Sequence, residues 1–572
     1  MKTNKWCSIL LMGLMLGACS KDVIEPDNGE HTDWETNKVG YINLSVNLPS
    51  QVASRSEVFD DGDVSEWAVK DATLLLFAAG NSNETEADAT FIGAYELALN
   101  MNVQTPAADA LSSTAQIIQK INKLDTENND VYALVVLNRN GQFTLNGNDV
   151  MFGQEAFSGT FKDFSLKLVD NQVTANGFLM TNAPLFATNG SVPSGTVQTL
   201  TKIDASSIYP TKEDAAIHSS AQVFVEKAVA KVTMNGQVSG TLSDTNHPLP
   251  YTLSGWMLDN TNKRAYLVRQ VDNTWWGYTN SSDYRFLGAQ PVNTGLYRTY
   301  WATDPNYSTY VAGSSDTGLS TVEGTTPALS NGMSTSNYCL ENTFNTANQT
   351  LQSTTRAVVK AVFNGGQDFY LLNDDKTVLY EQGLSATHSL ENLVARALVS
   401  EPTLNAKIKQ SLNVGKTFGE GDVASLTLSA PDMNGVSQVT GITLSSSDSG
   451  KYNTALTFTS GDLEKLNTQL GTLYKYTNGA AYYAIKIRHF TDTQTPNPST
   501  GYTENEHLGR YGILRNNWYQ LTVNSVKLIG APVVPLVSGN TNWDDTDEQY
   551  ISVGIKVMSW AVRTQSIDLQ YK

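Results

Sequence analysis

The chain has 572 residues, of which 40% are hydrophobic and 16% charged, and its formal net charge is −18. A chain of this length is too long for one core, so we expect two or three folded domains. The apolar fraction is typical of a folded protein. The negative charge argues against nucleic acid as a partner, because binding to phosphates requires basic patches.

The N-terminus has the features of a bacterial export signal with a lipid attachment site. Lys2 and Lys5 precede the apolar run Ile9–Leu16, and Gly17-Ala18-Cys19 follows. A charged start, a short apolar run and small residues at the cleavage site are typical of a signal peptide, and the run is shorter than the ~20 residues that cross a bilayer. The sequence therefore predicts a signal peptide over 1–18 and acylation (palmitate) of Cys19, which would anchor the protein in the cell outer membrane. The alternative is an ordinary secretory signal with a chance cysteine.

The N-terminal part is predicted to be a β domain over 39–240, after an acidic tether over 19–38. Alternation of apolar and polar residues predicts a half-buried first strand over 39–48, and a loop with Arg55 follows it. Continuous apolar runs at 72–79 and 131–137 are typical of strands buried on both faces. Ile117, Ile118, Ile121 and Leu124 have helical spacing, so we expect an amphipathic helix over 107–124. A further strand is expected over 222–234.

A segment rich in Gly, Ser, Thr, Asp and Pro at 236–250 predicts the boundary to a second β domain over 241–572. Short strands separated by turns are expected there, with helices over 389–399, ended by Pro402, and over 462–470. A strand over 519–528 precedes two alternating strands in the tail over 550–572. The expected fold is mainly β with a few short helices, arranged as two β-sandwich-like (transthyretin-like) domains in tandem.

The sequence shows no pattern that is typical of an active site. The six histidines are dispersed without metal-ligand spacing, and there is no Gly-rich phosphate loop or Gly-x-Ser-x-Gly motif. Asp60-Asp61-Gly62-Asp63 is interpreted as a solvated loop rather than a weak calcium site, and Trp275-Trp276 as packing rather than a sugar platform. Cys339 is interpreted as a small buried hydrophobe that forms no disulfide. We expect no enzymatic activity, no cofactor and no metal.

Three stretches together resemble the major shaft subunits (fimbrillins) of Bacteroidales type V pili, in particular the Mfa-like branch. The first combines the lipid site, the tether, one alternating strand, Ala53-Ser54-Arg55 and Glu66–Asp71. The second is Glu226–Val232, and the third is Arg515–Tyr519 followed by the final strands. Their order and spacing extend across nearly the whole chain.

The resemblance implies a structural subunit that polymerises by strand exchange. An arginine-specific or trypsin-like protease would cut between Arg55 and Ser56, with Lys38 and Lys70 as competing sites, and the first strand would be lost. The C-terminal strand of an identical subunit would then fill the groove. Each subunit would be lipid-anchored only transiently, and then become part of an extracellular fimbrium that supports adhesion together with accessory subunits. The predicted donor residues are Ile551, Val553, Ile555, Val557, Ile567, Leu569 and Tyr571.

Two other interpretations of the sequence remain open. The chain could be an accessory tip or anchor subunit of the same apparatus; an anchor would keep its lipid, and a tip would need no donor tail. From a different class, it could be a surface lipoprotein that binds glycans through exposed tryptophans. The sequence itself leaves open which of the two terminal strands is exchanged.

Overall fold

The strands and helices of the protein are known from a computed structural model of the chain. The residues that it describes are 39–47, 66, 68–80, 84–98, 114–122, 129–170, 177–189, 192–218, 220–242, 249–272, 275, 286–293, 296–310, 318–329, 332–350, 352–372, 378–381, 389–445, 450–490, 503–535, 551–558 and 562–565. Within these ranges, no helix is both long and apolar enough to cross a membrane.

The chain is mainly β with a few short helices, which confirms the expected fold class. The strands up to residue 227 are β1 Val39–Asn47, β2 Ala72–Gly80, β3 Thr90–Glu96, β4 Thr114–Asn122, β5 Asn129–Leu137, β6 Thr144–Asn146, β7 Asp149–Phe152, β8 Glu155–Ala156, β9 Leu168–Asp170, β10 Met180–Asn182, β11 Leu185–Asn189, β12 Val192–Gln198, β13 Thr201–Ile203 and β14 Ala221–Lys227. The helices are α1 Phe161–Ser165, α2 Lys212–Ile217, α3 Leu390–Ser400, α4 Pro402–Ser411, α5 Ser460–Leu470 and α6 Glu504–His507.

The remaining strands follow Ala228. They are β15 Val229–Gly236, β16 Ser239–Leu242, β17 Leu249–Asp259, β18 Thr261–Asn262, β19 Arg264–Tyr266, β20 Leu287–Asn293, β21 Leu296–Thr299, β22 Leu319–Ser320, β23 Asn337–Leu340, β24 Arg356–Phe363, β25 Phe369–Leu372, β26 Val378–Glu381, β27 Val423–Leu428, β28 Val436–Ser437, β29 Val439–Leu444, β30 Leu473–Tyr476, β31 Ala480–Lys486, β32 Trp518–Val526, β33 Ile551–Met558 and β34 Val562–Gln565.

The first sheet has the strand order β3-β2-β5-β10-β14-β1-β4, with β13 paired to β5. Alternate residues of β2 and β5 enter two different hydrophobic clusters, one on each face of this sheet. The runs 72–79 and 131–137 are therefore buried on both faces, as predicted. One cluster contains the apolar residues of β1, and the other contains phenylalanines from β2, α1 and the loops near β6 and β7.

The second sheet has the order β23-β15-β32-β33-β34, and the third has the order β16-β17-β24-β31. A single hydrophobic cluster contains residues of both, including Val232, Trp256, Val359 and Tyr519, so the two sheets share one core. The predicted single strand over 222–234 is instead two strands in different sheets, because the chain passes from the first sheet to the second at buried Ala228. The domain limits at 240 and 241 stay a prediction.

An insertion lies between β24 and β31, which pair directly with each other. It contains α3, α4, α5 and several short strands, and most of its buried apolar residues form a separate hydrophobic cluster. Phe369, Leu371 and Tyr476 instead belong to the core that the second and third sheets share. The helices predicted at 389–399 and 462–470 are confirmed. The first of these helices ends at Ser400, just before Pro402, as predicted. Pro402 also lies in the first turn of α4, where its missing N–H costs nothing, and the Glu401 side chain caps α4 by accepting a hydrogen bond from Leu404 N.

The predicted amphipathic helix over 107–124 is wrong, since the described part of that range is strand β4. Ile117 and Ile121 are both buried in the core beside β1. Residues four apart lie on one side of a helix and also on one side of a strand, so the spacing fitted both structures. This segment is a strand because its backbone pairs with the whole length of β1.

Candidate functional site

Strand β1 lies inside the first sheet, between two partners. It pairs in parallel with β14, where Leu44 is opposite Ala221, and antiparallel with β4, where Leu44 is opposite Ile117. Ile42, Leu44 and Val46 are at most 1% exposed. Both hydrogen-bonding edges of β1 are therefore in use, and its apolar side chains form part of the core.

The polar face of β1 is also buried, which corrects the prediction of a half-buried strand. Asn43, Ser45 and Asn47 are all buried. The Asn43 side-chain amide donates to the carbonyl of Ala215 in α2 at 2.8 Å, and its backbone N–H donates to Ser220 Oγ at 2.9 Å. The sequence pattern missed this cover because α2 is supplied by a distant part of the chain.

Strand β4 depends on β1 for its place in the sheet. It lies at the end of the sheet order, and β1 is its one partner strand among those described. Apart from the core packing of Ile117 and Ile121, its contacts outside β1 are few: some with α2, and a bond from the Asn122 N–H to the Tyr95 hydroxyl at 3.2 Å. We define the β1 slot as the space that β1 occupies between β4, β14 and α2.

The C-terminal strands form a hairpin at one end of the second sheet. β33 pairs antiparallel with β32, from Trp518 opposite Met558 to Val526 opposite Ile551, and β34 lies outside β33. Four predicted donor residues, Ile551, Val553, Ile555 and Val557, therefore belong to β33. The other three, Ile567, Leu569 and Tyr571, lie outside the described residues.

The three motifs on which the family resemblance was based meet at one buried place. Glu66 Oε1 accepts a hydrogen bond from Lys231 Nζ at 2.6 Å and another from the Tyr338 hydroxyl at 2.5 Å. The Lys231 ammonium also lies 4.1 Å from the ring centroid of Trp518, whose indole N–H donates to Thr233 Oγ1 at 2.8 Å. We call Glu66, Lys231, Trp518 and Tyr338 the junction cluster.

The motif Arg515–Tyr519 links the first sheet to the second. Asn516, in a left-handed conformation with φ of 61°, accepts from Lys227 N through its side chain and donates its own N–H to Val229 O. Lys231 N donates to Asn517 O at 2.9 Å. These bonds hold the chain on both sides of Ala228.

A buried ion-pair network adds to this link. Glu226, near the end of β14, contacts Arg269 at 2.6 Å, and Glu341 contacts Arg515 at 3.3 Å. The Arg269 guanidinium also donates to the carbonyl of Arg515 at 3.1 Å. All four side chains are at most 3% exposed. The sequence identified Glu226 and Arg515 within motifs but gave no sign of Arg269 or Glu341.

Several predicted positions fall outside the described residues: Cys19, Lys38, Arg55, Ser56, Trp276 and the acidic run 60–63. Of the tryptophan pair, Trp275 is 2% exposed and packs near Phe286 and Tyr307, in agreement with the packing interpretation. Cys339 is buried, and burial raises the pKa of its thiol to about 12. This fits a small buried hydrophobe. Among the described residues there is no group of side chains that could hold a metal ion.

The C-terminal part of the chain is similar to one protein family. Residues 474–566, which include β31 to β34, match the family model described as "Major fimbrial subunit protein type IV, Fimbrillin, C-terminal". No curated protein matches the chain. The match confirms the predicted resemblance to fimbrillins.

Solved structures with some likeness to the chain include fimbrial proteins. A fimbrilin from Porphyromonas gingivalis is 12% identical with a TM-score of 0.35, covering 93% of this chain and 99% of its own. The tip fimbrial protein Mfa3 of the same organism, with a C-terminal truncation, is 11% identical with a TM-score of 0.25, covering 91% and 100%. A fimbrial assembly protein from Parabacteroides distasonis is 10% identical with a TM-score of 0.26, covering 56% and 96%.

Proposed function

We propose that this fimbrillin-like protein is a structural shaft subunit of a cell-surface fimbrium, and that it polymerises by donor-strand exchange. The observation that carries the proposal is the position of β1. It is an interior strand of the first sheet, with both edges paired and both faces buried. A cut in the segment between β1 and β2 would free one strand and leave the rest of the covalent chain intact.

Loss of β1 would make the β1 slot a strong binding site for an extended segment. The side chains of Ile42, Leu44 and Val46 are fully buried, and each stabilises the fold by about 1.5–3 kcal/mol through burial. The backbone groups of β4 and β14 that bond to β1 would also lose their partners. An incoming alternating strand restores both kinds of interaction.

Of the competing cleavage sites, Arg55 fits the proposal better than Lys70. The backbone around Lys70 is tied down, since Lys70 N donates to Asn138 Oδ1 at 2.7 Å and Ala68 O accepts from Asn138 Nδ2 at 2.8 Å. A protease must draw several residues of its substrate into an extended form, so these bonds oppose a cut there. Cleavage after Arg55 would release the lipid-bearing Cys19 and β1 in one fragment.

The C-terminal hairpin is the proposed donor. In β33 the four aliphatic residues Ile551, Val553, Ile555 and Val557 alternate with small or polar ones. Because β33 and β34 are the last two strands of their sheet order, they can separate from β32 without disturbing strands beyond them. The lipid on Cys19 would hold the precursor at the outer membrane until cleavage, and accessory subunits would complete the fimbrium.

The test is controlled cleavage of a soluble precursor that starts at Ser20. Brief trypsin treatment is expected to produce a new N-terminus at Ser56 and a ladder of oligomers on native gels. The R55A precursor, treated identically, should keep β1 and stay monomeric. A wild-type protein that is cut at Arg55, loses β1 and remains monomeric would contradict strand exchange.

A second variant tests the roles of the donor hairpin and of the β1 slot independently. A precursor that lacks residues 551–572 should fold as a monomer, be cut at Arg55 and form no oligomers with itself. Mixed with full-length uncut precursor, it should form a one-to-one complex, because it retains the slot and the other protein retains the donor. Oligomers of the truncated protein alone would point to a contact other than the hairpin.

A further inference from the structure

The segment around β33 has the same alternating pattern as the segment around β1. Residues 41–48 read Tyr-Ile-Asn-Leu-Ser-Val-Asn-Leu, and residues 550–557 read Tyr-Ile-Ser-Val-Gly-Ile-Lys-Val. Both begin with Tyr-Ile, and both have aliphatic residues at the same four positions with small or polar residues between them. We infer that β33 of a second copy occupies the β1 slot with Ile551 in the place of Ile42. This inference rests on the proposed function. It specifies the direction and register of the incoming strand, and which of the two terminal strands is exchanged.

The apolar face of the slot limits the register to shifts of an even number of residues. Ile42, Leu44 and Val46 belong to the hydrophobic core, and Ile551, Val553 and Ile555 would replace them. A shift by one residue turns a strand over, because successive side chains point to opposite faces. Ser552, Gly554 and Lys556 would then lie in the core.

The polar face distinguishes the proposed register from its neighbours. Asn47 Nδ2 donates to the carbonyl of Val223 on β14 at 3.3 Å, so the ammonium of Lys556 would find an acceptor in the slot at this position. If the strand moved by two residues so that Ile551 lay at the position of Gly40, Lys556 would take the buried position of Ser45, whose side chain has none of the described hydrogen bonds. If it moved so that Ile551 lay at the position of Leu44, Gln549 would take the fully buried position of Ile42.

The same face distinguishes β33 from the last segment of the chain. The position of Asn43 is 2% exposed and places a side-chain donor against the carbonyl of Ala215. In β33 that position receives the neutral Ser552. If Ile567, Leu569 and Tyr571 entered the slot in the equivalent frame, Asp568 would take it. A carboxylate accepts but cannot donate, so it would face a carbonyl oxygen in a buried site.

The register can be measured by disulfide cross-linking of a defined heterodimer. The acceptor is a subunit cut after Arg55 that lacks 551–572 and carries I118C; the donor is an uncut precursor from Ser20 that carries S552C. Both carry C339A. Ile118 is directly opposite Asn43, and opposite Cα atoms of an antiparallel pair lie within disulfide reach. We expect rapid cross-linking with S552C and none with G554C, which is two residues further along the strand.

The outcomes separate the register from the proposed function. A heterodimer that cross-links through G554C, or through neither cysteine, would overturn the inferred register while strand exchange stands. If no heterodimer forms before oxidation, as judged by light scattering, the proposed function itself fails. Cross-linking through S552C supports both.

Affinity provides a second readout. S552D should weaken the heterodimer by ~10-fold or more, because it buries a carboxylate against the Ala215 carbonyl. S552N should bind at least as tightly as wild type, since it reproduces the side chain of Asn43. S566D, in the tail beyond β33, is the matched control and should have no effect. Equal loss from S552D and S566D would contradict the inference.

Discussion

The charge of Lys231 is buried and is compensated by two groups, the Glu66 carboxylate and the Trp518 ring. It lies on β15, opposite Tyr338 on one neighbouring strand and Trp518 on the other. Its ammonium bonds to Glu66, and both side chains are at most 3% exposed. The pair joins Glu66, which follows the predicted cleavage site in the chain, to β15, the neighbour of the strand β32 that pairs with the C-terminal hairpin.

Removal of either Glu66 or Lys231 alone should therefore destabilise the folded protein. K231M leaves the Glu66 carboxylate buried without its counter-ion, so we expect the free energy of unfolding to fall by about 3–5 kcal/mol in urea denaturation. The double variant E66Q/K231M should recover part of the loss. K202M removes a lysine whose pairing with Asp130 is half exposed, and should cost at most about 1 kcal/mol. Similar losses for K231M and K202M would contradict the buried charge pair.

At the scale of single elements, β4 is an end strand of the first sheet, and among the described strands it pairs with β1. Its backbone pairing is to β1, over Thr114–Asn122. A strand that loses its one partner and keeps few other contacts also loses its protection from solvent.

Hydrogen exchange should reveal this dependence. After cleavage and removal of β1, the amides of 117–122 should exchange much faster than in the precursor, while those of β2 and β5 should change little. Addition of an uncut donor should restore protection of β4. The opposite result, a β4 that remains protected in the empty subunit, would show that it closes onto β14 without a guest strand.

How far the sequence predicts these elements depends on whether their contacts are local. Alternation located β1, and apolar runs located β2 and β5, because one strand reveals its own burial. The cover over Asn43 and the partners of Lys231 come from residues far away in the chain, so no pattern within β1 or β15 could indicate them. The isoleucines of β4 were misread because helix and strand put Ile117 and Ile121 on the same side.

On the scale of the whole molecule, the insertion between β24 and β31 behaves as an addition to the sandwich. Its separate hydrophobic cluster is built mainly from residues of α3, α4 and α5. β25 pairs antiparallel with β30, and Leu372 lies directly opposite Leu473. The gap between these two residues is therefore one that a tight turn can close.

Replacement of 373–472 by Asn-Gly should give a chain that still folds and polymerises. We expect cooperative thermal unfolding and the same trypsin-dependent ladder as wild type, because neither the β1 slot nor the C-terminal hairpin lies in the deleted range. Circular dichroism and native gels check the two results. Loss of polymerisation in a folded deletion variant would assign the insertion a part in assembly.

The occupied β1 slot has a consequence for how a fibre stops growing. If subunits polymerise as proposed, an uncut subunit keeps its C-terminal hairpin as a donor, but β1 fills its own slot. Once its hairpin has left β32, it can join the open slot at the end of a fibre, and it then accepts nothing itself. Such contacts join unlike surfaces and do not close into a ring. The ratio of cut to uncut subunits would therefore set the mean fibre length, and a scarce protease would give short fibres from the same amount of protein.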